Sequence, residues 1–557
     1  MASILSKTTT FLVDLLYASF VFATTTLAKN SNSFTVSPSP STLDYTHFPL
    51  IKSICEPTPY PDLCFNSLKL SISININPNI IALVLPILQT AISEAGKLTN
   101  VFTNVVNNGV VEKQIGTLQD CRELHQITIS SLQKTVSRMQ SSKTLNKRQL
   151  ADANAFLSAA LTNKNTCLEG LESASGPFKP VLVNSITAAY KHVSNSLSIL
   201  SKPDAKSKAQ AIVNTNNRRL LGFPKWLSRK FCRILEDSDT EYDPSDIITV
   251  AKDGSGNFSR INDAIEFAPS DSYDRTIIYV KEGVYHENVY IPKDKTNLVF
   301  LGDGSDVTVI SGKRSVDGGY TTFKSATFAV AGDGFLARDI TFQNTAGPEK
   351  HQAVALRIIA DLTAVYHCNI NGYQDTLYAH SYRQFYTECN ISGTVDFIFG
   401  NAAAVFQACN IIARLPMYRQ FNALTASGRD SPDENTGISI QNCSILASED
   451  LLGSNRTVKS YLGRPWKLYA TTVVMESYID DLIHPLGWRE RADDLSLDTL
   501  YYGEYDNTGP GSGTDNRVTW PGYKVMDYED ALNFTVSELI TGDEWLESTE
   551  FPYQNGI

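Results

Sequence analysis

"HCNINGYQDTLYAHSYRQFYTECNISGTVDFIFGNAAAVFQACNI", residues 367–411, decides the fold. The phrases HCNI, ECNI and ACNI set Cys368, Cys389 and Cys409 at steps of 21 and 20 residues. NCSI, at Cys443, follows after a step of 34, as if one unit carried a longer loop. Short β-rich runs broken by Gly, Asn and Asp fill the intervals, and no helical periodicity intervenes. Strand-rich repeats of this length point to a solenoid, and without helices to a parallel β-helix with the cysteines stacked inside. The competing reading is a β-sandwich with accidental spacing.

The same period carries a chemical pattern. Asp375 lies in GYQDTLY (372–378) and Asp396 in GTVDFIFG (393–400), again 21 residues apart. Side chains one coil apart on a β-helix stand on neighbouring strands, roughly 4.8 Å from each other. Two carboxyls so close do not both ionise comfortably, which leaves one as an acid and the other as a nucleophile or base. Gln352, in HQAVALR (351–357), precedes Gln374 by 22 residues, so two amides reach the same patch. YLGRPWKLY (461–469) adds Arg464, able to hold one carboxylate, and Trp466, a flat face for a sugar ring. No Gly-x-Ser-x-Gly elbow, His-Glu-x-x-His or Cys-x-x-Cys motif occurs, and the eight histidines are scattered. GDGSD (302–306) reads as a turn rather than a phosphate loop.

Outward from this stretch the chain changes character. Its 557 residues exceed one ordinary domain, and 42% hydrophobic with 19% charged residues excludes a disordered chain. Residues 50–200 place apolar side chains at three- and four-residue spacing, in segments such as LQDCRELHQITISSLQKTVSRM, and read as an all-α four-helix bundle. Residues 245–557 read as the all-β part. The net charge of −11 is uneven: residues 1–240 hold 24 Lys+Arg against 15 Asp+Glu, and residues 241–557 hold 24 against 44. A basic first part would attract an acidic second part, and the acidic part would repel a polyanion.

Residues 1–28, with Lys7 and the run FLVDLLYASFVFA, read as a secretory signal peptide; Asp14 inside the run leaves an uncleaved anchor as the alternative. Residues 29–49 are Ser/Thr/Pro-rich and read as disordered. Residues 201–244 form a polar, basic linker containing Arg218, Arg219, Leu220 and Leu221. Sequons at Asn257, Asn390, Asn442, Asn455 and Asn533 permit glycosylation of a secreted chain. Secretion also permits disulfides; connectivity does not follow from sequence, and Cys55–Cys64 and Cys409–Cys443 stay open as pairings.

GVYHENV (283–289), HQAVALR, GYQDTLY, GTVDFIFGNA (393–402), YLGRPW, GWRE, YYGEYDNTGPG and RVTWPGY, in this order, resemble the plant pectin methylesterase family. YPDLCFNSL and LSAALTNKNTCLEG in the helical part resemble the inhibitor domain that precedes many plant members. RRLL resembles the family's processing motif, whereas a second such motif is replaced by CRIL (232–235), which lacks the dibasic pair. The resemblance implies a right-handed parallel β-helix that hydrolyses methyl esters of homogalacturonan (pectin) in the plant cell wall without metal or cofactor. It implies Asp396 as nucleophile, Asp375 as general acid and then base, and Gln374 as oxyanion support with Gln352 helping. Arg464 would hold Asp396, while Trp466, Thr322, Tyr378 and Phe399 would line the sugar groove. The implied partners are pectin, the chain's own inhibitor-like domain as autoinhibitor, free inhibitor proteins and a processing protease, with no nucleic acid and no membrane after signal removal. The remaining alternatives are a pectin-active glycosidase or lyase on the same fold, or a non-catalytic inhibitor of other esterases.

Overall fold

A computed structural model describes residues 48–69, 79–105, 110–141, 144–202, 247–491 and 497–557. The signal peptide, nearly all of the Ser/Thr/Pro-rich segment and the RRLL motif lie outside the described residues.

Six helices open the described chain: α1 (Phe48–Cys55), α2 (Pro61–Lys69), α3 (Ile80–Val105), α4 (Thr117–Gln140), α5 (Lys147–Glu172) and α6 (Lys179–Leu200). The last four form the bundle, α4 packing on α3 and α5, and α6 closing the square against α3 and α5. Apolar positions at helical spacing face inward, among them Val84, Ile87, Leu88 and Ala91 on α3 and Leu182, Ile186, Val193 and Leu197 on α6. The sequence reads as offering no apolar stretch of membrane-spanning length beyond the N-terminal run, yet helix α3 meets that test by length and composition; Val84, Ile87, Leu88 and Ala91 on it are packed in the bundle. Helix α5 starts on a capping box, Asn146 with Gln149, which satisfies two otherwise unpaired donors. Disulfides join Cys55 to Cys64 and Cys121 to Cys167.

From Ile247 the chain coils through three parallel sheets of eleven, seven and eight strands. Each turn gives one strand to each sheet, and the coil is the right-handed β-helix expected. The cysteine period is its register: Asn369 pairs with Asn390, Asn390 with Asn410, and Asn410 with Ser444. The long step to Cys443 holds two loops, 414–421 and 428–436, between the strands Asn410–Ala413, Asn422–Ser427 and Gly437–Gln441. At one corner of successive coils the residue before the interior position is left-handed: His367, Glu388, Ala408, Asn442 and Glu476 have φ between 50° and 54°. That corner turns the following side chain inward, so Cys368, Cys389, Cys409 and Cys443 are buried in file.

These four thiols are free, so a Cys409–Cys443 bridge does not form. The backbone N–H of Cys389 instead donates to Cys409 Sγ (3.4 Å), that of Cys409 to Cys443 Sγ (3.3 Å), and that of Cys443 to Ser477 Oγ (3.1 Å). The sulfurs of Cys409 and Cys443 are thus each taken up by the coil before them, and serine continues the ladder.

The interior is filled by aromatic and branched side chains, including edge-to-face contacts of Phe328 with Phe300 and Phe342. Burying one such side chain stabilises by about 1.5–3 kcal/mol. The purely all-β expectation needs one amendment. The short helix Ile261–Phe267 adds Ile261, Ala264 and Ile265 to this core, and the C-terminal segment lays Val536, Ile540, Leu546 and Phe551 on the outside of the eleven-stranded sheet. The β-helix therefore has a core of its own, independent of the bundle.

Candidate functional site

The seven-stranded sheet builds the floor. Its strands Leu356–Ile359, Leu377–Ser381 and Ile398–Gly400 run side by side, with Arg357 against Tyr378 and Tyr378 against Phe399. Tyr378 and Phe399 stack with centroids 4.2 Å apart, and Trp466 stands over both at 6.3 and 5.8 Å. Gly400 (φ 131°) lets its backbone lie close against the neighbouring strand, because a Cβ there would lie 2.0 Å from Ala379 O. An aromatic floor with one upright indole suits the flat faces of sugar rings.

Asp375 and Asp396 sit just before two adjacent strands, Leu377 pairing with Ile398, and so occupy equivalent places on successive coils. Both have left-handed backbones, φ 60° and 52°. A non-glycine residue there costs about 1–2 kcal/mol, least for Asp and Asn. The Asp375 N–H donates to Val395 O (3.0 Å), which ties its turn to the next coil. Arg464 donates from Nε to Asp396 Oδ1 (2.8 Å) and from Nη2 to Oδ2 (2.6 Å), a bidentate clamp. Asp375 receives no such clamp. Burial, then the nearby Asp396 carboxyl, push its pKa well above the ordinary value, and Arg464 only partly opposes this. One carboxyl is held by a fixed cation, while burial and the neighbouring carboxyl favour the protonated form of the other. That asymmetry lets one attack and the other donate.

Every catalytic and groove residue nominated from sequence meets here: Asp375, Asp396, Gln374, Gln352, Thr322, Tyr378, Phe399, Arg464 and Trp466 line one cavity of about 260 Å³. The glutamines reach it from the two turns preceding neighbouring strands, where Ala353 N–H donates to Gln374 O (3.2 Å). Of the sequon asparagines, Asn257, Asn442, Asn455 and Asn533 are exposed. Asn390 is half-buried, and its Nδ2, the atom a glycan would take, donates to Asn369 Oδ1 (2.8 Å) within an asparagine ladder.

The roof of the cavity is the helical bundle, which contributes Gln114, Thr117, Asp120, Thr166, Glu169 and Gly170. Ile115 N–H donates to Gly319 O (2.7 Å). Asp120 accepts from Thr321 Oγ1 (2.6 Å), and Thr166 Oγ1 lies 2.9 Å from His380 Nε2. Lys324 donates to Glu123 (3.0 Å), and Lys467 pairs with Glu169. The Cys121–Cys167 disulfide joins α4 and α5 beside these contacts, since each cysteine neighbours a residue that enters the cavity. Farther out, Arg383 donates to Asp152 (2.6 Å), Lys134 to Asp333 (2.7 Å) and Lys147 to Glu538 (3.2 Å).

The uneven net charge describes only part of this interface. Lys134–Asp333 and Lys147–Glu538 have the expected polarity. Around the cavity the polarity reverses, with bundle carboxylates on β-helix cations. Burial raises the Asp120 carboxyl to about 7, against the pull of Lys324 and Thr321. Sequence reasoning missed Asp120, Glu123, Thr166 and Glu169, and missed Lys324, Arg357 and Lys467 opposite them. On an amphipathic helix such carboxylates read as a solvated face.

A family model described as Pectinesterase matches residues 247–543, and one described as Plant invertase/pectin methylesterase inhibitor matches residues 49–199. An Arabidopsis thaliana protein named "Probable pectinesterase/pectinesterase inhibitor 12" is 61% identical over 530 residues, 93% of this chain and 97% of that one. A Ficus pumila var. awkeotsang protein named "Pectinesterase/pectinesterase inhibitor" is 48% identical over 469 residues, 84% of each chain. Among solved structures, "Pectin methylesterase from Carrot" matches at 52% identity with a TM-score of 0.56, covering 57% of this chain and 100% of its own.

Proposed function

The chain belongs to the pectinesterase family, as a pectin methylesterase carrying an inhibitor-like helical domain, and from that premise we propose how its own residues perform and restrain the reaction. A methyl-esterified galacturonate lies on Tyr378 and Phe399 against Trp466, with Thr322 at the rim. Asp396 attacks the ester carbonyl carbon. Gln374, with Gln352 beside it, donates amide N–H to the oxyanion that develops. The protonated Asp375 gives its proton to the departing methoxide, and methanol leaves an anhydride between Asp396 and the uronate carbonyl. Asp375, now a carboxylate, takes a proton from water, whose oxygen attacks the anhydride. The free uronic acid is released, and both aspartates return to their starting states.

The observation that supports this reading is the unequal pair: Asp396 clamped at both oxygens by Arg464, and Asp375 buried beside it with a raised pKa. Methanol release from methylated galacturonan tests it. Asp396→Ala is expected to abolish turnover, and Asp375→Asn to lower it about 10²–10⁴-fold, the usual worth of general acid–base catalysis. Near-normal release by either variant refutes the assignment.

The bundle over the cavity supports an autoinhibitory role for residues 50–200. Substrate cannot reach a groove roofed by α4 and α5, so activity requires undocking. A tether of about forty residues holds the bundle at an effective concentration on the order of millimolar, and cutting the linker removes that advantage. Arg218-Arg219-Leu220-Leu221 is the proposed cut, made by a processing protease before the enzyme reaches the wall as a secreted glycoprotein. The freed groove would accept a separate inhibitor protein of the same helical type. Replacing Arg218 and Arg219 with Ser is expected to leave a full-length, inactive chain inside cells. Full activity of that uncut chain in the wall refutes the autoinhibitory role.

A further inference from the structure

The row of side chains on the seven-stranded sheet continues past the reacting groups. Register sets Tyr290, Ala329, Arg357, Tyr378 and Phe399 on consecutive coils, so Arg357 lies one coil beyond the aromatic floor. Arg357 is 1% exposed, and its guanidinium carbon is 3.3 Å from the Phe323 ring centroid. Its Nε and Nη1 have no hydrogen-bond partner among the described residues. Buried donors left unpaired are expensive, and a guanidinium offers a planar fork matched to a carboxylate. Glu123 of the bundle approaches the third nitrogen, Nη2. Its Oε1 is 3.7 Å from Arg357 Nη2, and its Oε2 accepts from Lys324 Nζ at 3.0 Å. Burial would raise the Glu123 carboxyl, but Arg357 and Lys324 together hold it below its ordinary value. The ion-pair partners of Lys324 are Glu123 and Asp120, both from the bundle. At Trp466 the arrangement repeats, with Lys467 taking Glu169.

Undocking therefore leaves a stacked guanidinium and a lysine without their counter-ions, one coil from Tyr378. We propose that Arg357 and Lys324, with Phe323 beneath the guanidinium, form a subsite for a free uronate carboxylate of the polymer, and that Glu123 occupies it as a stand-in for that carboxylate. This rests on the esterase reading above. The polymer is neutral at each methyl ester and anionic at each free acid, and every turnover makes a free acid beside the next ester. A carboxylate seated on Arg357 and Lys324 orients its neighbouring sugars along the floor toward Asp375 and Asp396. The acidic net charge of residues 241–557 misdescribes this groove, which is locally cationic. The freed enzyme thus favours a polymer already carrying some free acid, and de-esterified galacturonan competes for the groove.

The test uses residues 247–557, which have their own core and whose carrot relative, matched over its whole chain, covers a share of this chain close to that of the β-helix. Methanol release from methyl-esterified galacturonan is followed at rising concentrations of de-esterified galacturonan. Lys324→Gln, a change at a partly exposed side chain, is expected to raise the inhibition constant of the de-esterified polymer about tenfold, the loss of one charge-assisted hydrogen bond. Arg357→Gln should act the same way, and circular dichroism checks that it folds. In the full chain, Glu123→Gln is expected to raise the basal activity. An unchanged inhibition constant in folded Lys324→Gln overturns the subsite. Wild-type protein that releases no methanol overturns the esterase reading instead.

Discussion

Replacing Arg464 probes the asymmetry on which the chemistry depends. Its Nε and Nη2 hold the two oxygens of Asp396 at 2.8 and 2.6 Å. Lysine keeps the charge but has no fork, so Arg464→Lys forfeits one of two charge-assisted hydrogen bonds, about 1.5–3 kcal/mol. If that loss falls on the transition state, kcat drops roughly 10- to 150-fold. Arg464→Ala removes the charge as well. Deleting one partner of a fully buried pair typically costs about 3–5 kcal/mol, so for this half-buried pair the loss is expected at roughly two to three orders of magnitude. The pH profile supplies an independent sign. Asp375 must be protonated to release methanol, so activity falls as pH rises through its pKa. Arg464 opposes the upward shift of Asp375, so removing it raises that pKa further and moves the alkaline limb to higher pH. Initial rates of methanol release by residues 247–557 across pH give both quantities. Arg464→Lys within about threefold of wild type, or Arg464→Ala with an unmoved alkaline limb, refutes the clamp.

The docked bundle should respond to pH through Asp120, whose carboxyl is raised from 3.8 to about 7 on burial. The docked state binds the extra proton, so the Asp120 contribution to docking is fully present below pH 3.8 and is lost progressively as pH rises toward about 7; latency of the full chain measured from pH 5 to 7.5 should decline, and a rise contradicts the sign. Replacing Cys121 and Cys167 with Ser opens a loop of 46 residues and should destabilise the bundle by about 2–4 kcal/mol, read as a lower bundle melting temperature together with partial activation of the uncut chain. Trp466→Ala should raise KM more than it lowers kcat, because the indole lies over Tyr378 and Phe399 rather than at the reacting carboxyls; a pure kcat loss argues against a stacking role.

Periodicity made much of this legible. A 21-residue step recurring in both cysteines and aspartates identifies a coil, and the coil places Asp375 beside Asp396 without any tertiary information. Arg464 was legible because a half-buried carboxylate beside a second one needs a counter-charge, and YLGRPW supplies one near an aromatic. What periodicity cannot reveal is which thiols react. Cys409 and Cys443 are adjacent in the file, yet each sulfur accepts a backbone N–H from the preceding coil, and hydrogen bonding replaces the bridge. Docking was illegible for a different reason. Glu123 and Glu169 sit on amphipathic helices where charge ordinarily faces water, and only the approach of Lys324, Arg357 and Lys467 reveals their use. Net charge summed over hundreds of residues likewise averaged away the few cations around the groove.

The central claim is an esterase groove closed by the chain's own helical bundle. Methanol and new reducing ends should be counted together from methyl-esterified galacturonan, with residues 247–557 and with the uncut chain. The freed β-helix is expected to release methanol while the polymer keeps its length, and the uncut chain to release little until its linker is cut. Shortening of the polymer without methanol, or equal methanol release from the cut and uncut proteins, contradicts it.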